Sequence, residues 1–235
     1  MKIYYDFHIH TALSPCSDDD MTPNNIVNMA KIKELDVIAI TDHNSCKNVE
    51  ACMKVGTQVG IIVIPGVEVQ TKEEVHLVCL FRDLNAAYIF QEYVDKKLPN
   101  ISNKPSIFGN QIIYNEFDEA IGVEERLLLN SLETTIDEVF EKVKELDGVV
   151  IPAHIDKDTY SIISNLGFMP DYLDINTVEY SSFDKLQRLI KNKIIKNNLM
   201  FLKNSDAHNL GHISERENFL EVEELSIDAI IDRLK

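Results

Sequence analysis

Ile3-Tyr4-Tyr5-Asp6-Phe7-His8-Ile9-His10 is the stretch on which the reading of this chain turns. Its apolar opening, Ile3-Tyr4-Tyr5, reads as a strand, and residues two apart on a strand project from the same face. His8 and His10 therefore point together, and two imidazoles side by side at a strand's end are half of a metal site. A single His-x-His pair also arises by chance, so the reading depends on what the other strands bring.

Outward from that pair, strands and helices alternate. Thr22-Pro23 supplies a cap and a first-turn proline for a helix with Ile26, Val27, Ala30 and Leu35 on one face. A buried strand, 37–40, ends at Thr41-Asp42-His43-Asn44. A helix over 47–58 leads to a strand over 61–64, then Pro65-Gly66-Val67-Glu68, and a further strand over 75–81 carries His76. The alternation pauses at 85–130, with a helix over 85–97, a loop over 98–105, and a hairpin pairing 112–114 with 126–129 around Gly122. It resumes with a helix over 135–146, a strand over 149–151 running into Pro152-Ala153-His154, a strand over 173–179 ending at Glu179, and a helix over 182–196. A strand over 199–202 then ends at Asn204-Ser205-Asp206-Ala207-His208, before a last strand, 219–222, and a closing helix capped by Ser226. Such βα repetition predicts an α/β fold, a parallel sheet or barrel with helices outside. No linker or repeat divides the 235 residues, so 1–235 reads as a single domain with 85–130 inserted.

Composition narrows the class. With 45% hydrophobic and 26% charged residues the chain can bury a sizeable core. No run of eighteen apolar residues exists and no basic segment precedes an apolar one, so a soluble, unexported protein with no membrane partner is expected. Cys16, Cys46, Cys52 and Cys79 show no CxxC spacing, which suits a reducing cytoplasm. A net charge of −16 without a basic patch argues against long nucleic acid as a partner, although bound divalent cations would reverse the field locally.

Six of the seven histidines, His8, His10, His43, His76, His154 and His208, follow or begin an apolar strand-like run, and Glu68 and Asp206 occupy equivalent places. In βα folds the C-terminal ends of strands converge on one face, so these side chains would meet. Histidines and carboxylates without thiolate rings suit Zn, Mn or Fe.

These motifs carry a resemblance. Asp6-x-His8-x-His10, the Thr41–Asn44 turn, Pro65-Gly66-Val67-Glu68, His76, Ala153-His154 and Ser205-Asp206-Ala207-His208 occur in the order found in the PHP (polymerase and histidinol phosphatase) domain family, which this chain resembles from residue 6 to 208. The resemblance implies a distorted (β/α)7 barrel with two or three divalent metal ions in its mouth. It places one ion on His8, His10, Glu68 and Asp206, a second on Glu68, His76 and His154, and a third on His43, His208 and a residue soon after the His-x-His pair. Family members carry Ser-Asp-Gly five residues before a Thr-Pro helix start, and Ser17-Asp18 stands at that distance from Thr22-Pro23, so Asp18 is the expected ligand. Counting forward from His10 lands instead on Cys16, and Asp19 and Asp20 are further alternatives. Asp42 matches no ligand position and is expected to orient a ligating imidazole.

The implied activity is that of a metal-dependent phosphoesterase, in which a hydroxide bridged by two metals attacks a phosphate monoester of a small metabolite or nucleotide. His8, His10, Glu68, His154, Asp206 and His208 would carry the catalysis. Lys47, Lys157 and Arg216 are candidates for the substrate phosphate, and His212 for the acid beside the leaving group. The 85–130 insertion, between two strand ends that carry ligands, would cap the mouth and favour a small phosphorylated substrate, or else form a dimer contact. Other readings are a 5′-end nuclease on short oligonucleotides, an amidohydrolase-type hydrolase, and a non-catalytic metal-binding scaffold.

Overall fold

The computed structural model describes residues 1–235. In chain order the elements are β1 (Lys2–Ile9), α1 (Pro23–Ile32), β2 (Val37–Ile40), α2 (Val49–Val59), β3 (Ile62–Gln70), β4 (His76–Leu80) and α3 (Leu84–Lys97). Next come α4 (Pro105–Phe108), β5 (Ile112–Tyr114), β6 (Ala120–Val123), α5 (Ile136–Glu145), β7 (Val149–Pro152), α6 (Ile162–Leu166) and β8 (Thr177–Glu179). The chain closes with α7 (Phe183–Lys191), β9 (Met200–Leu202), a 3-10 turn at Leu210–His212, β10 (Phe219–Glu221) and α8 (Ile227–Leu234).

Six strands form one curled sheet in the order β10-β1-β2-β3-β4-β7, a half-barrel with helices on its outer face. Strands β1, β2 and β3 run parallel, as the βα alternation predicts, and β8 and β9 form a separate parallel pair. β4 departs from the pattern by running antiparallel to both β3 and β7. Backbone bonds join the two sheets at one end: Ile155 N–H donates to Glu179 O (2.9 Å), and around Ala207 His10 N–H donates to its O (3.0 Å) while its N–H donates to His8 O (3.3 Å).

The strands are apolar on both faces because both are covered. Val37 and Ala39 pack inward with Tyr5, Phe7, Ile64 and the α8 residues Ile230, Ile231 and Leu234, while Ile38 and Ile40 pack outward against α1 and α2. Burial of each such side chain contributes about 1.5–3 kcal/mol. The helix starts are those the sequence marks. Thr22 accepts from Asn25 N ahead of Pro23, Thr135 and Glu138 form a reciprocal capping box, and Ser226 caps α8.

Several expectations are corrected. The strand expected over 61–64 does not end before Pro65-Gly66. β3 continues through it and changes partner there, pairing with β2 over residues 62–65 and with β4 over 66–70. Gly66 permits the crossing, since a Cβ there would lie 2.8 Å from Leu80 Cδ2 and 3.0 Å from Cys79 O. Glu68 is consequently held inside a strand, opposite Val78, rather than beyond a strand's end. In the inserted hairpin the partner of β5 is β6, not 126–129, and Gly122 lies opposite Ile113. The turn instead falls at 115–119, where Asn115 Oδ1 accepts from Phe117 N–H (2.9 Å) and Glu119 N–H (3.0 Å) and Asp118 takes φ 58°. The helix expected over 182–196 stops at Lys191, and the strand over 173–179 is confined to Thr177–Glu179. No helix is long and apolar enough to cross a membrane.

Candidate metal centre

Glu68 lies at the centre of five imidazoles. Its Oε1 is 3.0 Å from His76 Nδ1, 3.3 Å from His8 Nε2 and 3.4 Å from His154 Nε2, and its Oε2 is 2.9 Å from His43 Nδ1 and 3.5 Å from His10 Nε2. Strands β1, β3, β4 and the ends of β2 and β7 deliver these residues to one place. Asp206 Oδ1, arriving after β9, sits 3.4 Å from His8 Nε2 and 3.3 Å from His10 Nε2. His208 stacks on His10 with ring centroids 4.2 Å apart. Glu68, His8 and His10 are fully buried, whereas the Asp206 and His208 side chains are 20% and 27% exposed, so the cluster opens to solvent on their side.

The ring orientations are fixed from behind. His8 Nδ1 lies 2.9 Å from Glu179 Oε2, and a carboxylate only accepts, so this nitrogen carries the hydrogen. Ser14 Oγ donates to Asp42 Oδ1 (2.7 Å) and therefore accepts from His10 Nδ1 (2.9 Å). His208 Nδ1 donates to the Asp206 carbonyl (2.8 Å). Each bond leaves the Nε2 lone pair facing the cluster. His8 Nε2 and His10 Nε2 then confront one another at 3.1 Å, close enough to share a proton or to ligate one ion. Both Glu68 oxygens and His154 Nδ1 are buried without a hydrogen-bond partner, which a structure tolerates where an ion is to be held. Donor atoms of His8, His10 and Glu68, of His43, Glu68 and His76, and of His10, His43 and His208 converge closely enough to ligate. The residues present fit divalent metal ions.

Without an ion the cluster balances its own charges: burial lowers His8, but Glu179, Glu68 and Asp206 outweigh it and raise the imidazole well above its ordinary value. Burial pushes Glu68 up, but His76, His8 and His43 outweigh it and hold the carboxyl well below the usual carboxylate range. Asp206 is likewise buried, and His8 and His10 drive it down. His10, desolvated and beside His208 and His43, is held well below an ordinary imidazole. Backbone strain gathers in the same place: Asn44, His154 and Asp206 all have positive φ, of 48°, 32° and 53°.

Placement of the remaining candidates is uneven. Asp18 is exposed and outside the cluster; it meets His208 only through its backbone N–H, which donates to His208 O (2.9 Å). Asp19 is engaged by Asn110 Nδ2 (2.7 Å), and Asp20 is exposed. Cys16 is the residue of this loop whose side chain reaches the imidazoles. Cys16 is exposed as a residue; desolvation of its sulfur would raise the thiol, but the neighbouring His208 and His43 lower it to about 6. Lys157 Nζ lies 2.6 Å from Asp206 Oδ2, at the open side. Lys47 pairs with Glu124 of the insertion instead of facing the cluster. Arg216 is at the wrong end of β1, donating to Glu34 O (2.6 Å) with its guanidinium 4.0 Å above the Tyr4 ring. His212 is an exposed residue whose Nδ1 is bound by Asn209 (2.9 Å). Asp42 plays the expected orienting part, through Ser14 and Thr11. The residues without a prior assignment are Glu179, Ser14, Gln70, whose Oε1 is 3.2 Å from His76 Nε2, and Tyr160, whose ring stacks on His76. Glu179's place at a strand end was the signal available for it.

Six histidines and two carboxylates gathered at one end of a curled α/β sheet define a candidate metal-dependent hydrolase. The PHP domain model matches residues 6–145, and the chain belongs to the PHP domain family, whose members are metal-dependent hydrolases that bind divalent metals. A 5'-3' exoribonuclease from Haemophilus influenzae is 33% identical over 79 residues, 32% of this chain and 28% of that protein. In structure the chain is similar to the lesion-specific endonuclease PfuEndoQ from Pyrococcus furiosus, with TM-score 0.71 and 22% identity over all of this chain and 56% of that one. It is also similar to a putative metal-dependent phosphoesterase from Bifidobacterium adolescentis, with TM-score 0.62 and 18% identity over 98% of this chain and 95% of that one. The matched stretches span less than half the length of the curated relatives.

Proposed function

We propose that this chain is a metal-dependent phosphoesterase acting on the phosphate monoester of a small metabolite or nucleotide. The observation that carries the reading is Glu68, a buried carboxylate whose two oxygens face five imidazole nitrogens. His8, His10, Glu68 and Asp206 would hold one ion, Glu68, His76 and His154 a second, and His43 and His208, with Cys16 or Asp18, a third. Zn, Mn and Fe all suit these donors. Such ions supply Lewis acidity and an activated water.

The chain's own residues do the rest. Glu68 turns one oxygen toward His8 and His76 and the other toward His43 and His10, so it would serve two ions at once. Glu179, Ser14 and the Asp206 carbonyl hold three imidazoles in the tautomer that presents Nε2. Lys157, poised on Asp206, is the cation placed to take a phosphate oxygen at the open side. The strands β1, β2, β3, β4, β7, β8 and β9 are read as the family's distorted seven-unit barrel, supported by the Ile155–Glu179 and His10–Ala207 bonds. Residues 85–130 border the mouth: Ile112 N–H donates to Ala12 O (2.9 Å), and Asn44 Nδ2 to Leu128 O (2.8 Å). A complete donor set argues against a non-catalytic scaffold.

A nuclease is the second reading, favoured by the exoribonuclease and endonuclease among the similar proteins. It withdraws the argument from acidity against nucleic acid, because the net charge of −16 describes the whole surface and bound cations would set the field at the mouth. The test is to measure metal content, then screen phosphomonoesters, nucleoside bisphosphates and oligonucleotides with Mn or Zn. Turnover of monoesters above oligonucleotides supports the leading reading, and the reverse order supports the second. A protein holding two or more metals that turns over no phosphoester would overturn both.

A further inference from the structure

We propose that Tyr160 is a stacking platform for a planar aromatic group carried by the phosphoester, of which a nucleobase is the common example; this rests on the phosphoesterase reading and narrows its substrate class. The Tyr160 ring lies on the His76 imidazole with centroids 4.8 Å apart and planes inclined by 19°. His76 in turn places Nδ1 3.0 Å from Glu68 Oε1, so the tyrosine begins one ring away from the central carboxylate. Tyr160 is 45% exposed although one of its faces is covered by a buried imidazole, so its exposed area belongs to the other face and the edges. Among the exposed aromatic residues, which include Phe117, Phe168, Tyr172 and Phe183, Tyr160 alone touches the cluster.

The loop that carries Tyr160 is built to hold it there. Its φ is 56°, a left-handed conformation that a bulky side chain rarely adopts and that persists where the surroundings enforce it. The Tyr160 carbonyl accepts from His76 N–H (2.9 Å), fastening the loop to the first residue of β4. Three residues earlier the same loop supplies Lys157, at 2.6 Å from Asp206 Oδ2. A cation and an open aromatic face on one short loop beside the candidate metal centre match a ligand that joins an anion to a flat ring. An aliphatic phosphate would use the first and leave the second in water. Every base has a π face, so the platform would tolerate different bases, on a free nucleotide or at the end of an oligonucleotide.

The test compares Tyr160→Phe, Tyr160→Leu and Tyr160→Ala in metal-loaded protein, reading metal stoichiometry and calorimetric binding of adenosine 5′-monophosphate, a dinucleotide and glycerol phosphate. Base stacking of ordinary strength predicts that Tyr160→Ala and Tyr160→Leu weaken the two base-bearing ligands by about ten- to a hundred-fold. Glycerol phosphate and metal content should be unchanged, and Tyr160→Phe should bind as wild type. A larger loss for the mononucleotide assigns the platform to free nucleotides; a larger loss for the dinucleotide assigns it to a chain end. Equal weakening of all three ligands, or loss of metal in Tyr160→Leu, would show that the ring only props His76 and would overturn the proposal. So would wild-type protein that binds the nucleotide no better than glycerol phosphate. Tyr160-dependent nucleotide binding without hydrolysis of any phosphoester would instead leave the platform standing and remove the hydrolase reading.

Discussion

Glu179 holds His8 from behind, with Oε2 2.9 Å and Oε1 3.1 Å from the imidazole Nδ1. The same carboxylate accepts from His154 N–H (3.1 Å) and Asn204 Nδ2 (2.7 Å), so one side chain ties together the ends of β1, β7 and β9. It contacts no other donor of the cluster through its side chain, yet it dictates which nitrogen His8 presents. Glu179→Gln is therefore expected to lower metal affinity or turnover by about 10–100-fold, the usual effect of removing a partner behind a ligating histidine. Competition against a chromogenic chelator measures the affinity. A variant that binds metal as tightly as wild type would show that the tautomer is fixed by something else.

Cys16 should be the reactive thiol. The neighbouring His208 and His43 lower it to about 6, while burial pushes Cys46 up to about 12 and raises Cys52 and Cys79 as well. A thiol depressed from 9.0 adds stability above its unfolded value that disappears as pH falls through about 6. The neighbouring His43 and His208 are raised, so their contribution is full below 6.5 and fades as pH rises. The two trends oppose each other across the same window, and reactivity is the cleaner readout. At pH 7 metal-free protein is expected to lose one thiol rapidly to iodoacetamide and the other three only on unfolding, with Zn protecting the first. Equal reactivity of Cys16 and a free cysteine at every pH would contradict this contact.

The sequence made the imidazoles legible because strand alternation and a shared topological position place them without knowledge of any loop. His8, His10, His43, His76, His154 and His208 converge for that reason. Contacts decided by loop geometry were not legible. Ser17-Asp18 keeps its distance from the helix start at Thr22, but the turn bonded from Ser17 N–H to Ser14 O swings Cys16 toward the histidines and leaves Asp18 outside. Lys47 and Arg216 follow the right motifs, yet each is captured by a partner far away in sequence, Glu124 and Glu34. Pro65-Gly66 has the composition of a turn, and only the change of partner from β2 to β4 shows why both residues belong in a strand.

Gly109 fixes the insertion to the loop after β1. Its φ is +100°, and a Cβ there would fall 1.9 Å from Pro15 O, inside the backbone that precedes Cys16. Gly109→Ala must move one segment away from the other. The expected outcome is a lower Tm, with about 1–3 kcal/mol of strain introduced, and slower alkylation of Cys16 as it moves from His208 and His43. Gly122→Ala is the control, since its nearest neighbour is Ile113 Cδ1 at 3.7 Å. Equal behaviour of the two variants would mean that the insertion does not brace this loop.

Glu68→Gln keeps the size of the central side chain and removes its charge. As a carboxylate depressed by surrounding imidazoles, Glu68 contributes stability above its unfolded pKa that is lost as pH falls through the folded value. At neutral pH the substitution removes that contribution. Metal binding depends on the same atoms, because Oε1 and Oε2 face different imidazoles and a neutral amide offers one oxygen where two are used. Wild-type protein saturated with Zn or Mn at a hundred times the dissociation constant should gain about 2.7 kcal/mol of stability by mass action, and a chelator should reverse the accompanying rise in Tm. Glu68→Gln should fold, as judged by circular dichroism, yet show a smaller chelator-dependent change in Tm than wild type and lose at least one equivalent of metal by elemental analysis. Full metal content in that variant would remove Glu68 from the centre of the site and, with it, the observation on which the phosphoesterase reading stands.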